Sequence, residues 1–303
     1  MPDQLPSGRQ VAATFGPYTA TVTEVGATLR SLSFRGRPLL LGFDATEMAS
    51  AAKGQVLLPW PNRIEDGRYD FAGQTHQLAL SEPARNNASH GLVRWLPWRV
   101  RLADPATVHA DVVLHPQPGY PHTLAVTVSY ALVDDGLRVR TRATNLGPAV
   151  APYGHGMHPY LRAGEGPVDG WELTLPAGQV CNVDDRGLPA PPRPVDGGYD
   201  FRTARRVGAA RLDNPFTDLS RDDVGRASVL LRDPAGGADV ELWMDRSYRW
   251  LQVFTGDTLA HGARSALAVE PMTCPPNAFR SGTDLVLLEP GGSHEAGWGL
   301  RAG

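Results

Sequence analysis

Three features of the chain predict an all-β fold, a large antiparallel β-sandwich. Short runs of alternating polar and apolar residues recur along its 303 residues, which is the period of a strand with one wet face. Glycine (33 residues) and proline (27) are spread throughout and interrupt any long helix. No stretch of ten or more residues carries a helical period. Many short strands separated by turn signals make a sandwich. The chain, residues 1–303, is expected to form one domain, since large β folds reach this length as single units.

The elements can be justified in chain order. "YTATVTEV" (18–25) alternates small polar and apolar residues and reads as a strand. In "LLPWPNRIEDGRYDFAGQ" (57–74), two prolines restrict the backbone before Asn62 and Arg63, and "RYDFAG" reads as a strand entering a turn. "NNASHGLVRWLPW" (86–98) places His90 just before a glycine, with aromatic residues close by. "VHADVVLH" (108–115), "TLAVTVSYAL" (123–132) and "GLRVRTRATN" (136–145) are three more alternating runs. "VDDGL" (133–137) joins the last two as a hairpin. "HGMHPYLR" (155–162) sets His155 and His158 three apart. The proline-rich "RGLPAPPRPVDGG" (186–198) reads as a surface loop. "RLDNPFTDL" (211–219) is unusually polar. "ASVLLRD", "DVELWMD" and "WLQVFTG" supply strands between 227 and 256, with "DPAGGAD" (233–239) as a looser hairpin. In "LAVEPMTCPPNAF" (267–279), Glu270 closes an apolar run and a proline follows at once, so a strand should end there. A buried carboxylate is costly unless it is paired or used.

Composition excludes several functions. The apolar fraction is 42%, enough for a sizeable core, and the net charge is −3. That balance gives no electrostatic reason to bind nucleic acid or an anionic membrane. Lys53 is the single lysine, which argues against Schiff-base chemistry. Cys181 and Cys274 are too few for a thiolate zinc site, have no framework spacing, and are expected to be free thiols. No basic n-region with an apolar run opens the chain, and no apolar run approaches the roughly 18 residues that span a membrane. A cytoplasmic protein, monomer or homodimer, is expected.

No phosphate loop, dinucleotide fingerprint, nucleophile elbow or H-E-x-x-H helix is present. His155 and His158 would share a face only on a helix, which Gly156 and Pro159 oppose. On a strand, a spacing of three points to opposite faces. The two imidazoles should therefore diverge, and no metal site is expected.

Taken together, "NRIEDGRYDFAGQTHQL", "NNASHGLVRW", "HGMHPYL", "LDNPF" and "VEPMTCPPNAF" resemble, in order, the motifs of the aldose 1-epimerases, the galactose mutarotase family. The resemblance runs from about Leu57 to Trp298. It implies a galactose mutarotase-like supersandwich without metal or organic cofactor, acting on a small-molecule monosaccharide. By the same resemblance, His158 matches the general acid and Glu270 the general base. Arg63, His90 and Asp213 match substrate-binding side chains. The neighbours of "HPY" and "VEP" differ from those in the best-known galactose mutarotases, which leaves the preferred sugar open.

The chemistry agrees with that match. Anomer interconversion needs one group to take the C1 hydroxyl proton and another to protonate the ring oxygen. A histidine and a carboxylate suffice. Each candidate also has a plainer reading. Glu270 or Arg63 could sit in an ion pair, His158 in the core, His90 in a turn, and Asp213 at a turn or cap. His155 and Asp245 read as structural. Of Trp60, Trp95 and Trp98, two are expected in the core and one on a sugar-stacking wall. The alternative functions are a hexose-6-phosphate 1-epimerase, which needs further arginines, and a non-catalytic sugar-binding protein on the same fold. A glycosidase would need a second suitably spaced carboxylate.

Overall fold

The alternating runs form strands, and every pairing between them is antiparallel in a computed structural model that describes residues 5–237 and 239–303. The predicted hairpin joins Leu124–Val133 to Gly136–Asn145 through Asp134 and Asp135, with Val133 paired to Gly136. Gly136 has a φ of 129°, and a Cβ there would lie 2.1 Å from the carbonyl oxygen of Leu300. Only glycine fits that turn beside the neighbouring strand.

This hairpin lies inside a nine-stranded sheet. Its order is Arg99–Asp104, Thr107–Leu114, Leu124–Val133, Gly136–Asn145, Ser293–Ala302, Val240–Met244, Ala227–Arg232, Glu172–Thr174 and Arg205–Arg206. The loop 233–239 connects two of these strands as predicted; Ala238 within it lies outside the described residues.

An eight-stranded sheet carries the polar motifs. Its path runs Arg193–Pro194, Ala177–Val180, Asp213–Leu219, Trp250–Phe254, Leu267–Met272, Gly156–Met157 and Val56–Leu57, and Tyr160–Leu161 also pairs with Leu267–Met272. Four N-terminal strands, Gln10–Phe15, Tyr18–Thr23, Leu29–Phe34 and Arg37–Pro38, form a further sheet. Buried side chains of all three sheets join one hydrophobic cluster, among them Val22, Val128, Tyr130, Leu242, Phe216, Val253 and Val269. Each such side chain contributes roughly 1.5–3 kcal/mol by leaving water.

Strand parity then decides what faces the other way. In Leu267–Met272, Leu267 and Val269 belong to the main core, whereas Ala268 and Met272 belong to separate small clusters with Tyr160 and Trp250 respectively. Glu270 shares parity with Ala268 and Met272, so it points away from the main core. In Trp250–Phe254, Leu251 and Val253 face the core and Gln252 faces with Glu270.

One sequence expectation needs correction. The strand does not end at Glu270; it continues through Pro271 to Met272. Proline is tolerated there because Pro271 still accepts a ladder partner at Leu251 while Pro159 and His158 break the pairing on its other side. The proline-rich segment 186–198 is largely exposed from Ala190 to Gly198, as expected of a surface loop. Arg186 at its start donates to the carbonyl of Arg85 at 3.0 Å and meets Asp66 at 2.7 Å, tying it to the 63–90 region. The sole α-helix among the described residues is Ala278–Ser281, beside four single-turn 3-10 helices, and none of these helices is long and apolar enough to cross a membrane.

Candidate active site

The ladder register brings His158 and Glu270 together. Gly156 pairs with Met272 and Tyr160 with Ala268, so His158 stands opposite Glu270 across the same two strands. Directly opposed residues on one face have Cβ atoms about 5 Å apart, within side-chain reach. The observed contact is His158 Nε2 to Glu270 Oε1 at 3.3 Å. Pro159 has no N–H, and the His158 N–H turns away to the Gln55 carbonyl at 3.2 Å. This break in the ladder is the physical meaning of "HPY". Tyr160 stacks on the His158 ring, with centroids 5.0 Å apart and planes at 15°, and so fixes its plane.

Next to Glu270 in register is Gln252, whose own partner on the far side is Pro215. Asp213, two residues before Pro215, shares that face, and Gln252 Nε2 donates to Asp213 Oδ1 at 2.7 Å. Four adjacent segments thus present His158, Glu270, Gln252 and Asp213 in one row.

A short hairpin supplies the wall above that row. Arg63–Glu65 pairs with Asn87–Ser89, with Arg63 opposite Ser89, and the His90 N–H donates to the Asn62 carbonyl at 2.8 Å. His90 adopts a left-handed φ of 62°, which aims its ring inward. The next residue must be glycine. A Cβ on Gly91 would lie 2.0 Å from the Leu58 carbonyl oxygen. The His90 and His158 rings meet edge to face with centroids 5.3 Å apart. Arg63 makes a bidentate pair with Glu82, Nε to Oε2 at 2.7 Å and Nη2 to Oε1 at 3.1 Å. The ion-pair reading and the cleft reading of Arg63 therefore both hold.

These groups line a cleft of about 690 Å³, in the size range of small-molecule sites. Its walls include Asn62, Arg63, Glu82, His90, Arg94, Trp95, Tyr160, Phe254 and Thr258. Trp60 and Trp98 are buried, whereas Trp95 is 45% exposed and lines the cleft. That is the division expected from sequence.

Burial dominates the electrostatics. His158 is 5% exposed and Glu270 2%. Desolvation pushes the His158 imidazole down to about 3, helped by the positive charges of Arg94 and Arg63. Desolvation pushes the Glu270 carboxyl well above its usual range, Asp213 raises it further, and Arg63 opposes. Each group resists becoming charged alone, which favours the touching pair sharing one proton. Moving that proton across the contact changes no net charge. Glu270 Oε2, Gln252 Oε1 and His90 Nδ1 are buried without hydrogen-bond partners among the described residues. Unpartnered buried polar atoms are costly. A ligand rich in hydroxyls would satisfy them.

All five residues singled out from sequence, His158, Glu270, Arg63, His90 and Asp213, line this one cleft. Gln252, Arg94 and Glu82 were missed. His155 is fully buried beside Tyr248, at 5.8 Å between ring centroids, and is not among the cleft residues. The two histidines diverge as their spacing predicted. Asp245 serves a turn, accepting from the Ser247 N–H at 2.9 Å. Among the described residues no group of three or more His, Cys, Asp or Glu is placed to hold a metal ion.

Comparison with known proteins agrees with this architecture. The sequence profile of the family described as Aldose 1-epimerase matches residues 10–301. The Escherichia coli K12 protein called "Uncharacterized protein YihR" is 39% identical over 290 residues, covering 95% of this chain and 91% of that protein. The Escherichia coli K12 aldose 1-epimerase is 28% identical over 207 residues, 63% of this chain and 59% of that protein. Among solved structures, a GalM/aldose epimerase homologue from C. elegans superposes with a TM-score of 0.86 at 22% identity, covering 97% of this chain and 98% of that one. At that identity the likeness is one of fold.

Proposed function

Because the chain belongs to the aldose 1-epimerase family, we propose that it interconverts the α and β anomers of a monosaccharide by acid–base ring opening and closure. The carrying observation is the in-register His158–Glu270 contact of 3.3 Å at the floor of the cleft. In the proposed cycle Glu270 takes the proton of the C1 hydroxyl while His158 gives one to the ring oxygen. The C5–O5–C1 linkage opens at C1, the C1–C2 bond turns, and closure on the other carbonyl face returns both protons. No proton is gained or lost overall.

The pair's single proton suits this exchange, because one member can always give while the other accepts. In the empty cleft, burial favours both groups neutral, with the proton on Glu270. Sugar hydroxyls bonded to the carboxylate would favour its ionised form and shift the proton to His158. Arg63, His90 and Asp213 would hold the ring hydroxyls, with Gln252 bridging Asp213 and Glu270. A protein that only bound sugar would gain nothing from an opposed, buried acid–base pair.

The proposal treats residues 1–303 as one unit, supported by the shared hydrophobic cluster of its three large sheets. It places the protein in the cytoplasm, where the free thiols of Cys181 and Cys274 would stay reduced. The test is NMR anomer exchange on a panel of free hexoses. Exchange above the uncatalysed rate is expected for at least one sugar. A panel with no acceleration, neutral and charged sugars included, would remove the proposal.

A further inference from the structure

Arg63 reaches the cleft from a hairpin outside the eight-stranded sheet that carries His158, Glu270, Gln252 and Asp213. Residues 181–190 join the two. At their root the Cys181 N–H donates to the Pro215 carbonyl at 2.8 Å, and Asn214 Nδ2 donates to the Cys181 carbonyl at 2.9 Å. Both partners lie on the strand of Asp213. The segment then closes on itself. Val183 bridges Pro189, and the Ala190 N–H donates to the Asn182 carbonyl at 2.8 Å. One carboxylate oxygen of Asp184 accepts from the Arg186 and Leu188 N–H groups, each at 2.9 Å. A loop bonded to itself in this way is a strut rather than a flap.

The tip of the strut rests on Arg63. Gly187 is buried, has a left-handed φ of 75°, and a Cβ there would lie 2.7 Å from Arg63 Nη1 and 2.8 Å from Arg63 Cζ. Only glycine lets the loop backbone come so close to the guanidinium. Beside it, Arg186 grips both strands of the hairpin. Its Nε donates to the Arg85 carbonyl at 3.0 Å, and its Nη2 donates to the Asn86 carbonyl at 2.8 Å and to Asp66 Oδ1 at 2.7 Å. In return the fully buried Asn87 donates from Nδ2 to the Arg186 carbonyl at 2.9 Å. Arg63 is thus held between Glu82, 2.7 Å from its Nε, and the loop tip.

We propose that Arg186 is a positioning residue for the sugar site. It is not among the cleft residues, and it acts through Arg63. By locking the strut to the hairpin it seats Gly187 on the guanidinium and sets the separation of Arg63 from Asp213. This rests on the epimerase reading above and names a further residue on which its sugar binding depends. Without Arg186 the hairpin keeps its own ladder but loses its brace, and the Arg63 donors drift from the hydroxyl they should meet. Hydrogen bonds weaken steeply with such misalignment. Arg63 is read as bonding sugar in the ground state and the transition state alike, so the loss belongs to KM.

The test is NMR anomer exchange by the full-length protein over a range of concentrations of whichever sugar the wild type turns over fastest. Arg186→Ala should raise KM by roughly three- to tenfold and leave kcat within about twofold of wild type. Arg186→Lys retains the charge beside Asp66 but not the fork on two carbonyls, so it should recover only part of the loss. In an Arg63→Ala background, Arg186→Ala should change KM by less than about twofold, because the residue it positions is gone. Arg280→Ala is the control. Arg280 meets Glu65 at 3.1 Å and Asp66 at 3.6 Å, so its loss removes a charge from the same acidic pair while the strut stays, and KM should remain near wild type. Thermal melts would check folding, and the Lys variant, in both Arg63 backgrounds, carries the test if the Ala variant does not fold. An unchanged KM, a loss equally large without Arg63, or an equal loss in Arg280→Ala would overturn this inference while the epimerase reading stands. No exchange of any sugar by the wild type would overturn both.

Discussion

His158 and His155 lie three residues apart, and burial drives both imidazoles down to about 3. Beyond that they share little. His158 faces a cleft, opposes a carboxylate at 3.3 Å and is stacked by Tyr160. His155 lies on the opposite side of the same segment, fully buried, its N–H donating to Thr273 Oγ1 and its ring beside Tyr248. A displaced pKa is therefore common to a reactive site and a sealed interior. What separates the two is an opposed titrating partner and access to a ligand. Both follow from strand parity, which turns one histidine to the cleft and the other to the interior.

The strongest way to break this contrast is to remove the cleft pair. His158→Asn and Glu270→Gln should each lower kcat by roughly 10²–10⁴-fold, read by anomer exchange. Their combination should cost less than the product of the two effects, since they work as a unit. Equal losses from substitutions elsewhere on the cleft wall would dissolve the distinction.

A smaller effect is expected at the wall. Arg63→Ala and His90→Ala should mainly raise KM, by the equivalent of about 1.5–3 kcal/mol, the scale of one charged hydrogen bond. Arg63→Ala also strands Glu82, which is half-buried and loses its bidentate partner. Arg63→Lys therefore separates sugar contact from ion-pair loss. Unchanged KM in both alanine variants would take these side chains out of the site.

The sealed histidine should show itself in stability. In the folded chain His155 titrates near 3, and in the unfolded chain near the ordinary value of about 6.5. Its contribution is thus fully present above about pH 6.5 and is lost as pH falls from there towards 3, because the unfolded chain takes up a proton that the folded chain refuses. Between pH 7 and 5 this amounts to on the order of 2 kcal/mol. His155→Gln should flatten the wild-type decline by about that much in urea unfolding at the two pH values. An unaltered slope would show that His155 does not remain neutral in the fold.

The least change is expected in the acid limb of activity. The His158–Glu270 pair should not take up a second proton until the pH approaches the depressed value of about 3. Hence kcat/KM should stay level from pH 7 to about 5, and a fall centred near 6.5 would mark an ordinary, hydrated histidine.

Much of this was legible in the sequence because period two survives in long strands. The hairpin at Asp134 and Asp135 and the strands around it read directly from alternation. Ser293–Ala302 did not, because its glycines look like turn signals. Gly299 is there because a Cβ would lie 2.6 Å from the Trp243 ring and 2.3 Å from the Leu137 carbonyl oxygen. The candidate residues were legible as motifs, and the opposition of His155 to His158 followed from spacing. Gln252 was hidden, since a glutamine between Leu251 and Val253 looks like an ordinary wet-face residue. Its place beside Glu270 depends on long-range register, which local patterning does not encode. Arg94 was hidden for a different reason. A loop arginine becomes notable only when the fold brings it to the wall of the cleft.

The most direct test of the central claim is to exchange the fates of the two histidines. Anomer exchange would be measured by NMR for His158→Asn and His155→Asn side by side, on whichever sugar the wild type turns over fastest, with folding followed by circular dichroism. The account predicts that the His158 variant, folded, loses at least about a hundredfold in kcat, while the folded His155 variant stays within a few-fold of wild type. A His158 variant near wild type beside a folded but inactive His155 variant would contradict it.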